Sequence, residues 1–157
     1  MYSVDTSALM DWQARFYPTD VFVRLKERME ALIAAGKMRA PAIVREELNA
    51  VGPPALITWA KQQTRLFVPM AESLQAEARA IQDRYPELAD AGSPHESYDP
   101  WVIALAKLNK WTVVSQETSA NEKRRPARTY YIPDVCRDLG IPCINLLGLM
   151  RKERWTF

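Results

Sequence analysis

At residues 111–117 the chain reads WTVVSQE, a β-branched run that ends in a serine and, two residues later, the acid Glu117. Such a run is typical of a buried strand. The chain also reads YSVD at residues 2–5, a short apolar-leaning run that ends in Asp5. Two predicted strands therefore each place a carboxylate at or just beyond their carboxyl end.

Predicted helices lie between the strands. The first begins at Thr19-Asp20 and ends near Gly36, with apolar residues at helical spacing. Further helices are expected after Pro41, after Pro53-Pro54, and over 71–85, 99–108, 133–139 and 146–150, with short strands over 66–68 and 142–145. The polar stretch 86–98 predicts a loop that contains the single histidine, His95.

Strands that alternate with helices predict an α/β fold with a central, mainly parallel β-sheet flanked by α-helices. A length of 157 residues fits one domain, spanning 1–157, because no repeat or flexible linker divides the chain. In sheets of this kind, ligands bind beyond the carboxyl ends of the strands. Asp5 and Glu117 therefore lie where a site is expected.

Composition excludes several classes of protein. Two cysteines cannot form a disulfide scaffold, and a single histidine cannot complete a Cys/His zinc cage. No stretch is apolar enough to span a membrane, and the first residues lack the basic start of a secretory signal, so we expect a reduced, cytoplasmic protein. The glycine-rich dinucleotide and phosphate-binding motifs and the GxSxG nucleophile motif are also absent.

Four carboxylates from different predicted elements are the candidates for chemistry. They are Asp5, Glu47, Asp99 and Glu117. If the fold brings them together, a bound cation relieves their repulsion, and oxygen ligands suit Mg²⁺ or Mn²⁺. Such ions support attack of an activated water on a phosphodiester. Simpler interpretations stay open, because Asp5 fits a turn, Asp99 before Pro100 fits an N-cap and Glu47 fits a solvated helix face.

Four motifs follow one another along almost the whole chain. They are VDTSAL at 4–9, PAIVREEL at 41–48, DPWVIALA at 99–106 and VVSQE at 113–117. In this order they resemble the motifs of the PIN-domain nucleases, and within them the VapC-like toxins of bacterial toxin–antitoxin pairs. Residues 17–22 and 132–136 are similar to a poorly characterised bacterial branch of that superfamily.

The resemblance implies a PIN-like fold and endonucleolytic cleavage of RNA that depends on Mg²⁺ or Mn²⁺. It also implies a toxin role with a cognate antitoxin protein, while a homodimer stays open. Carried over position by position, it implies metal ligation by Asp5, Glu47, Asp99 and Glu117. Ser7 would orient Asp5 or a metal-bound water. Glu117 replaces the family's usual aspartate, which leaves its role open, and Glu47 rather than Glu46 matches the motif because it directly precedes Leu48.

Residues 122–128 read EKRRPAR and form a basic segment soon after Glu117. A charge run is usually a solvated loop, but beside an acidic site it is a candidate contact for the RNA backbone. The candidate residues are Lys123, Arg124, Arg125 and Arg128. Two other classes of function stay open: a non-catalytic PIN-like module that binds RNA or protein, and a metal-dependent phosphatase for small substrates.

Overall fold

A computed structural model describes residues 1–88 and 98–157. It contains one five-stranded sheet with helices on its faces. The strands are β1 (Tyr2–Val4), β2 (Met38–Pro41), β3 (Phe67–Val68), β4 (Thr112–Val114) and β5 (Cys143–Ile144). The helices are α1 (Thr6–Met10), α2 (Val23–Ala34), α3 (Ala42–Val51), α4 (Pro54–Gln62), α5 (Glu72–Arg84), α6 (Asp99–Asn109), α7 (Ile132–Leu139) and α8 (Leu146–Lys152).

All strand pairs are parallel, and the order across the sheet is β3-β2-β1-β4-β5. The predicted α/β fold with a parallel sheet flanked by helices is therefore confirmed. The chain runs outward from β1 through β2 to β3, then returns to the other side of β1 to form β4 and β5. A change of direction of this kind leaves a crevice outside the carboxyl ends of β1 and β4, where ligands bind in open α/β sheets.

The two strands beside this crevice are buried. Val4, Val113 and Val114 are fully shielded from solvent, and Tyr2 pairs with Thr112 in parallel register. Helix α6 packs on this part of the sheet and against α5, with its residues from Val102 to Ala106 buried. All residues of β1 and β4 are buried, as expected for strands covered on both faces, and the polar Ser3 is satisfied by donating its hydroxyl to the Val102 carbonyl.

Several elements differ from the sequence-based predictions. Helix α2 begins at Val23, not at Thr19-Asp20, because the backbone N–H groups of Val21 and Phe22 both bond to the Pro18 carbonyl in a turn. Consequently the side chains of Val21 and Phe22 are exposed instead of lying on the helix's inner face. The predicted end at Gly36 agrees with its left-handed φ of 71°.

Two further elements were not predicted. Helix α1 follows β1 directly and continues as a π-helical segment over Asp11–Phe16. Strand β2 has the sequence MRAP, which contains no β-branched residue and ends in a proline, so its sequence is not typical of a strand. The predicted loop over 86–98 begins with a short 3₁₀ turn, Pro86–Leu88, and the remainder with His95 lies largely outside the described residues.

Among the residues that the structure describes, none of the helices combines the length and apolar character that a membrane crossing requires.

Candidate acidic active site

The four predicted acids lie near enough for their charges to interact, around the crevice expected at the carboxyl ends of β1 and β4, and we call them the acid cluster. Asp5 directly follows β1, and its backbone N–H bonds to the carbonyl of Val114 at 2.9 Å, which ties it to the end of β4. Glu117 follows β4, Glu47 lies on α3, and Asp99 is the first residue of α6. Each acid thus comes from a different part of the chain.

Asp5 is the most enclosed of the four, with 5% of its surface exposed. Its carboxylate caps α1 by accepting a hydrogen bond from the Ser7 backbone N–H at 3.2 Å, and it accepts others from the Ser7 hydroxyl and from Ser115 Oγ at 3.1 Å. Burial raises the pKa of Asp5, although the hydrogen bonds from both serines oppose the rise. Asp5 can therefore both cap the turn that leads into α1 and belong to the acid cluster.

Ser7 links the two strand ends. Its hydroxyl donates to Asp5 and accepts from the backbone N–H of Gln116 at 3.0 Å. Ser115 Oγ in turn accepts from the N–H of Glu117 at 3.1 Å. These bonds fix the carboxylate of Asp5 against the loop that carries Glu117, which agrees with an orienting role for Ser7.

Glu47 faces the crevice from α3. Its carboxylate accepts a hydrogen bond from the Thr6 hydroxyl, whereas the side chain of the adjacent Glu46 is exposed. Burial raises the pKa of Glu47, and the negative charges of Asp5 and Glu117 add to the rise, while the Thr6 hydrogen bond lowers it. Glu47 therefore shares the electrostatic field of the other acids.

Asp99 and Glu117 are bridged by Arg128. The guanidinium lies with Nη1 3.2 Å from Asp99 Oδ2 and Nη2 2.9 Å from Glu117 Oε1. The other carboxylate oxygen of Glu117 accepts the Ile132 N–H at the start of α7, at 3.0 Å. The predicted N-cap role of Asp99 is wrong, because Tyr98 is the N-cap and Asp99 is the first helical residue.

The acids act electrostatically on one another. Burial raises the pKa of Asp99 well above its usual range, and the negative charges of Glu117 and Asp5 add to the rise while Arg128 opposes it. Burial likewise raises the pKa of Glu117, with Asp5 adding to it and the Ile132 N–H and Arg128 opposing it. Crowded carboxylates of this kind are typical of functional sites.

The donor set is chemically suited to a hard divalent cation, because all of its ligand atoms are carboxylate oxygens. The arrangement does not yet form a cage. Within residues 1–88 and 98–157, no three Asp, Glu, His or Cys side chains stand together as a ready-made metal site. The acids converge on one crevice, while two of them are turned toward a guanidinium.

The basic segment, residues 122–128, carries both solvent-exposed basic side chains and basic side chains that face the protein. Arg124 and Arg125 are exposed. Lys123 and Arg128 lie over the ring of Tyr131, at 4.3 and 4.5 Å from its centroid. Arg128 reaches into the acid cluster, and its side chain is 13% exposed, while its predicted contact with the RNA backbone stays a prediction.

Sequence reasoning missed two contributors to the site, Thr6 and Ser115, and did not predict the contact of Arg128 with the acids. Thr6 holds Glu47, Ser115 holds Asp5, and Arg128 holds Asp99 and Glu117. The two hydroxyl residues stand one and two positions from a candidate acid, which is a usable signal. The inward course of Arg128 has no such signal, because its neighbours in the segment are equally basic.

The fold and the site define a class: an α/β protein whose parallel sheet carries a partly buried acid cluster at the point where its strand order reverses. The chain belongs to the family described as "Domain of unknown function (DUF4411)", whose family model matches residues 2–157. No curated protein matches the chain.

Proposed function

We propose that this protein is a metal-dependent endoribonuclease that hydrolyses RNA phosphodiester bonds. The observation that carries the proposal is the acid cluster, in which burial raises the pKa of all four carboxylates and the charge of Asp5 adds to the rise of the other three. Folding buries charge there at a cost, and a hard cation is the usual compensation. The motif resemblance to PIN-domain nucleases supports the same conclusion.

The side chains have separate tasks in this proposal. Asp5, Glu47, Asp99 and Glu117 would hold the ion. Mg²⁺ or Mn²⁺, when bound, supplies an activated water and neutralises charge on the phosphate. Ser7 and Ser115 orient the carboxylate of Asp5, and Thr6 orients that of Glu47. These hydroxyl contacts preorganise the acids and reduce the rearrangement that binding requires.

The biological setting that we propose is a toxin of a toxin–antitoxin pair, with a cognate protein antitoxin, in the cytoplasm. The support is the resemblance to VapC-like toxins. Both cysteines are free thiols, which suits a reducing compartment.

Cleavage of a mixed single-stranded RNA pool tests the proposed activity. We expect fragments in Mn²⁺ or Mg²⁺ and none in EDTA, with a 5′-phosphate and a 3′-hydroxyl at each new end. Treatment of the fragments with a 5′-phosphate-dependent exonuclease reads the end chemistry. Cleavage that persists in EDTA, or fragments that resist this exonuclease, would contradict hydrolysis by a metal-activated water.

A second candidate is a non-catalytic module that binds RNA or protein. The observation that favours it is the pairing of Arg128 with Asp99 and Glu117, which leaves no three-donor cage among the described residues. The two candidates differ in their response to metal. A binding module retains its RNA affinity and its thermal stability when Mn²⁺ is replaced by EDTA, whereas the nuclease gains stability from the ion.

Arg124 and Arg125 are expected to set RNA affinity without affecting the chemical step. Both are exposed on the segment next to the acid cluster, and phosphate contacts by such residues release counterions. We expect the double variant Arg124→Gln, Arg125→Gln to lower the slope of log affinity against log salt by up to roughly 1.4 for single-stranded RNA. Fluorescence anisotropy in EDTA, at four salt concentrations, measures this slope.

The matched control for that variant is Arg151→Gln with Lys152→Gln, which removes the same charge from α8. This control should leave the slope close to the wild-type value. An equal loss of slope in both double variants would indicate a general effect of net charge and contradict a phosphate contact at Arg124 and Arg125.

A further inference from the structure

The guanidinium of Arg128 lies between two members of the acid cluster. One nitrogen is 3.2 Å from Asp99 and the other is 2.9 Å from Glu117, so a single planar group spans both carboxylates. The same group donates to the Leu88 carbonyl and lies 4.5 Å from the centroid of the Tyr131 ring. Arg128 is thus held from several sides in the crevice.

These contacts place a permanent positive charge where two half-buried acids would otherwise repel each other. An arginine side chain stays protonated in proteins, and its rigid fork can pair with two acceptors at once. It compensates Asp99 and Glu117 without an ion. The oxygens that it engages, Asp99 Oδ2 and Glu117 Oε1, are among those that a divalent ion would need.

A divalent ion and the guanidinium would compete for these oxygens. Two cations within about 4 Å repel by several kcal/mol at the effective dielectric of a partly buried site. Occupancy by one therefore opposes occupancy by the other. In the described residues, where the guanidinium occupies this position, the acids do not form a three-donor cage.

We propose that Arg128 is the resident cation of the acid cluster, and that a divalent ion binds to Asp99 and Glu117 only by displacing its guanidinium. The inference rests on the proposed metal-dependent function and adds a mutually exclusive occupant to that site. Arg128 lies outside the helices and strands, in the segment before α7, so displacement of its guanidinium requires no change within a regular element. Withdrawal of the guanidinium need not disturb the sheet.

Removal of Arg128 should therefore strengthen metal binding. Wild type, Arg128→Gln and Arg128→Lys would be titrated with Mn²⁺, and free Mn²⁺ would be counted by electron paramagnetic resonance. We expect the Mn²⁺ Kd of Arg128→Gln to fall roughly tenfold, within the 5–150-fold range of typical couplings between two ligands. Arg128→Lys retains one positive charge without the fork, so its Kd should fall between the other two.

Arg125→Gln is the matched control, because it removes the same charge from an exposed position in the same segment. Its Kd should stay within about twofold of wild type, since exposed charges are largely screened by solvent and salt. An equal gain in Arg125→Gln would assign the effect to net charge and overturn displacement. An unchanged or weaker affinity in Arg128→Gln would also overturn it, and would make Arg128 a bystander or a positioning residue.

The titration separates this inference from the proposed function. Mn²⁺ binding by wild type without a gain in Arg128→Gln would overturn displacement alone. No Mn²⁺ binding by any of the four proteins would overturn the metal-dependent function and displacement together. If Arg128→Gln fails to fold, Arg128→Lys still decides, because displacement requires its Kd to lie below that of wild type.

Discussion

Asp5→Asn is expected to lower Mn²⁺-dependent RNA cleavage at least ~100-fold. Loss of a residue that only supports a metal ligand costs about 10–100-fold, and Asp5 would itself be a ligand. Asp5 is the acid whose charge acts on all three others, and it is fixed by Ser7 and Ser115 at the ends of two adjacent strands. Asparagine keeps the shape and one acceptor oxygen but loses the charge that would bind the ion. Initial cleavage rates at saturating Mn²⁺ measure the effect.

The control for this variant is Asp11→Asn. Asp11 is also a buried acid, but it pairs with Arg15 at 2.9 Å on the same helical segment and is not part of the acid cluster. It should keep a cleavage rate near that of wild type if the protein remains folded by circular dichroism. Full activity in Asp5→Asn would show that the acid cluster is not the site of cleavage.

The second large effect concerns stability in the absence of metal. Burial and the charges of Glu117 and Asp5 raise the pKa of Asp99 well above its ordinary range in the folded state. The folded protein therefore holds that proton more tightly than the unfolded chain. The free energy of unfolding should fall as pH rises from the ordinary aspartate range through the raised folded pKa.

Asp99→Asn removes this penalty and should make the protein more stable than wild type in EDTA above that folded pKa. Each kcal/mol relieved would raise Tm by roughly 2–4 °C in a chain of this size. Mn²⁺ should reverse the ranking, because it stabilises wild type by ~2.7 kcal/mol at a hundred times its Kd and acts less on a variant that lacks one ligand. Thermal melts over a pH series, in EDTA and in Mn²⁺, measure both effects.

Glu46→Gln is the control for Asp99→Asn, since Glu46 is exposed beside the cluster member Glu47. Its melting temperature should follow wild type at every pH and with either additive. If Asp99 acted only as a negative charge at the N-terminus of α6, it would stabilise that helix, and Asp99→Asn would lower Tm. A lower Tm for Asp99→Asn at high pH in EDTA would therefore contradict a strained acid cluster.

The sequence predicts the fold well where local patterns and tertiary structure agree. Strands β1 and β4 are short buried runs, each followed directly by a polar residue. Helix α7 begins at Ile132, before a proline, and is followed by Gly140, whose φ is 67°. Strand β2 was missed because Arg39 interrupts its apolar character. These residues form a strand because they pair with β1, and such a long-range contact cannot be recognised from the local sequence.

The candidate site, like the fold, could be predicted from local patterns only in part. The positions of Asp5 and Glu117 follow from parallel-strand geometry, because carboxyl ends meet at one edge of the sheet. The convergence of Glu47 and Asp99 required the motif resemblance, since each is an ordinary helix residue by itself. The inward course of Arg128 depends on packing against Tyr131 and on two acids far from it in sequence, so the charge run alone suggested a solvated residue.

The strand order also determines when the crevice can exist during synthesis. Central strand β1 pairs with β4 through Tyr2 and Thr112, so over a hundred residues must be made before its second neighbour appears. Glu117 and Arg128 emerge later still. A ribosome adding ~5–20 residues per second would therefore carry a chain with an incomplete crevice for several seconds. For the proposed ribonuclease, this topology would delay activity until the ribosome has added the residues beyond Arg128.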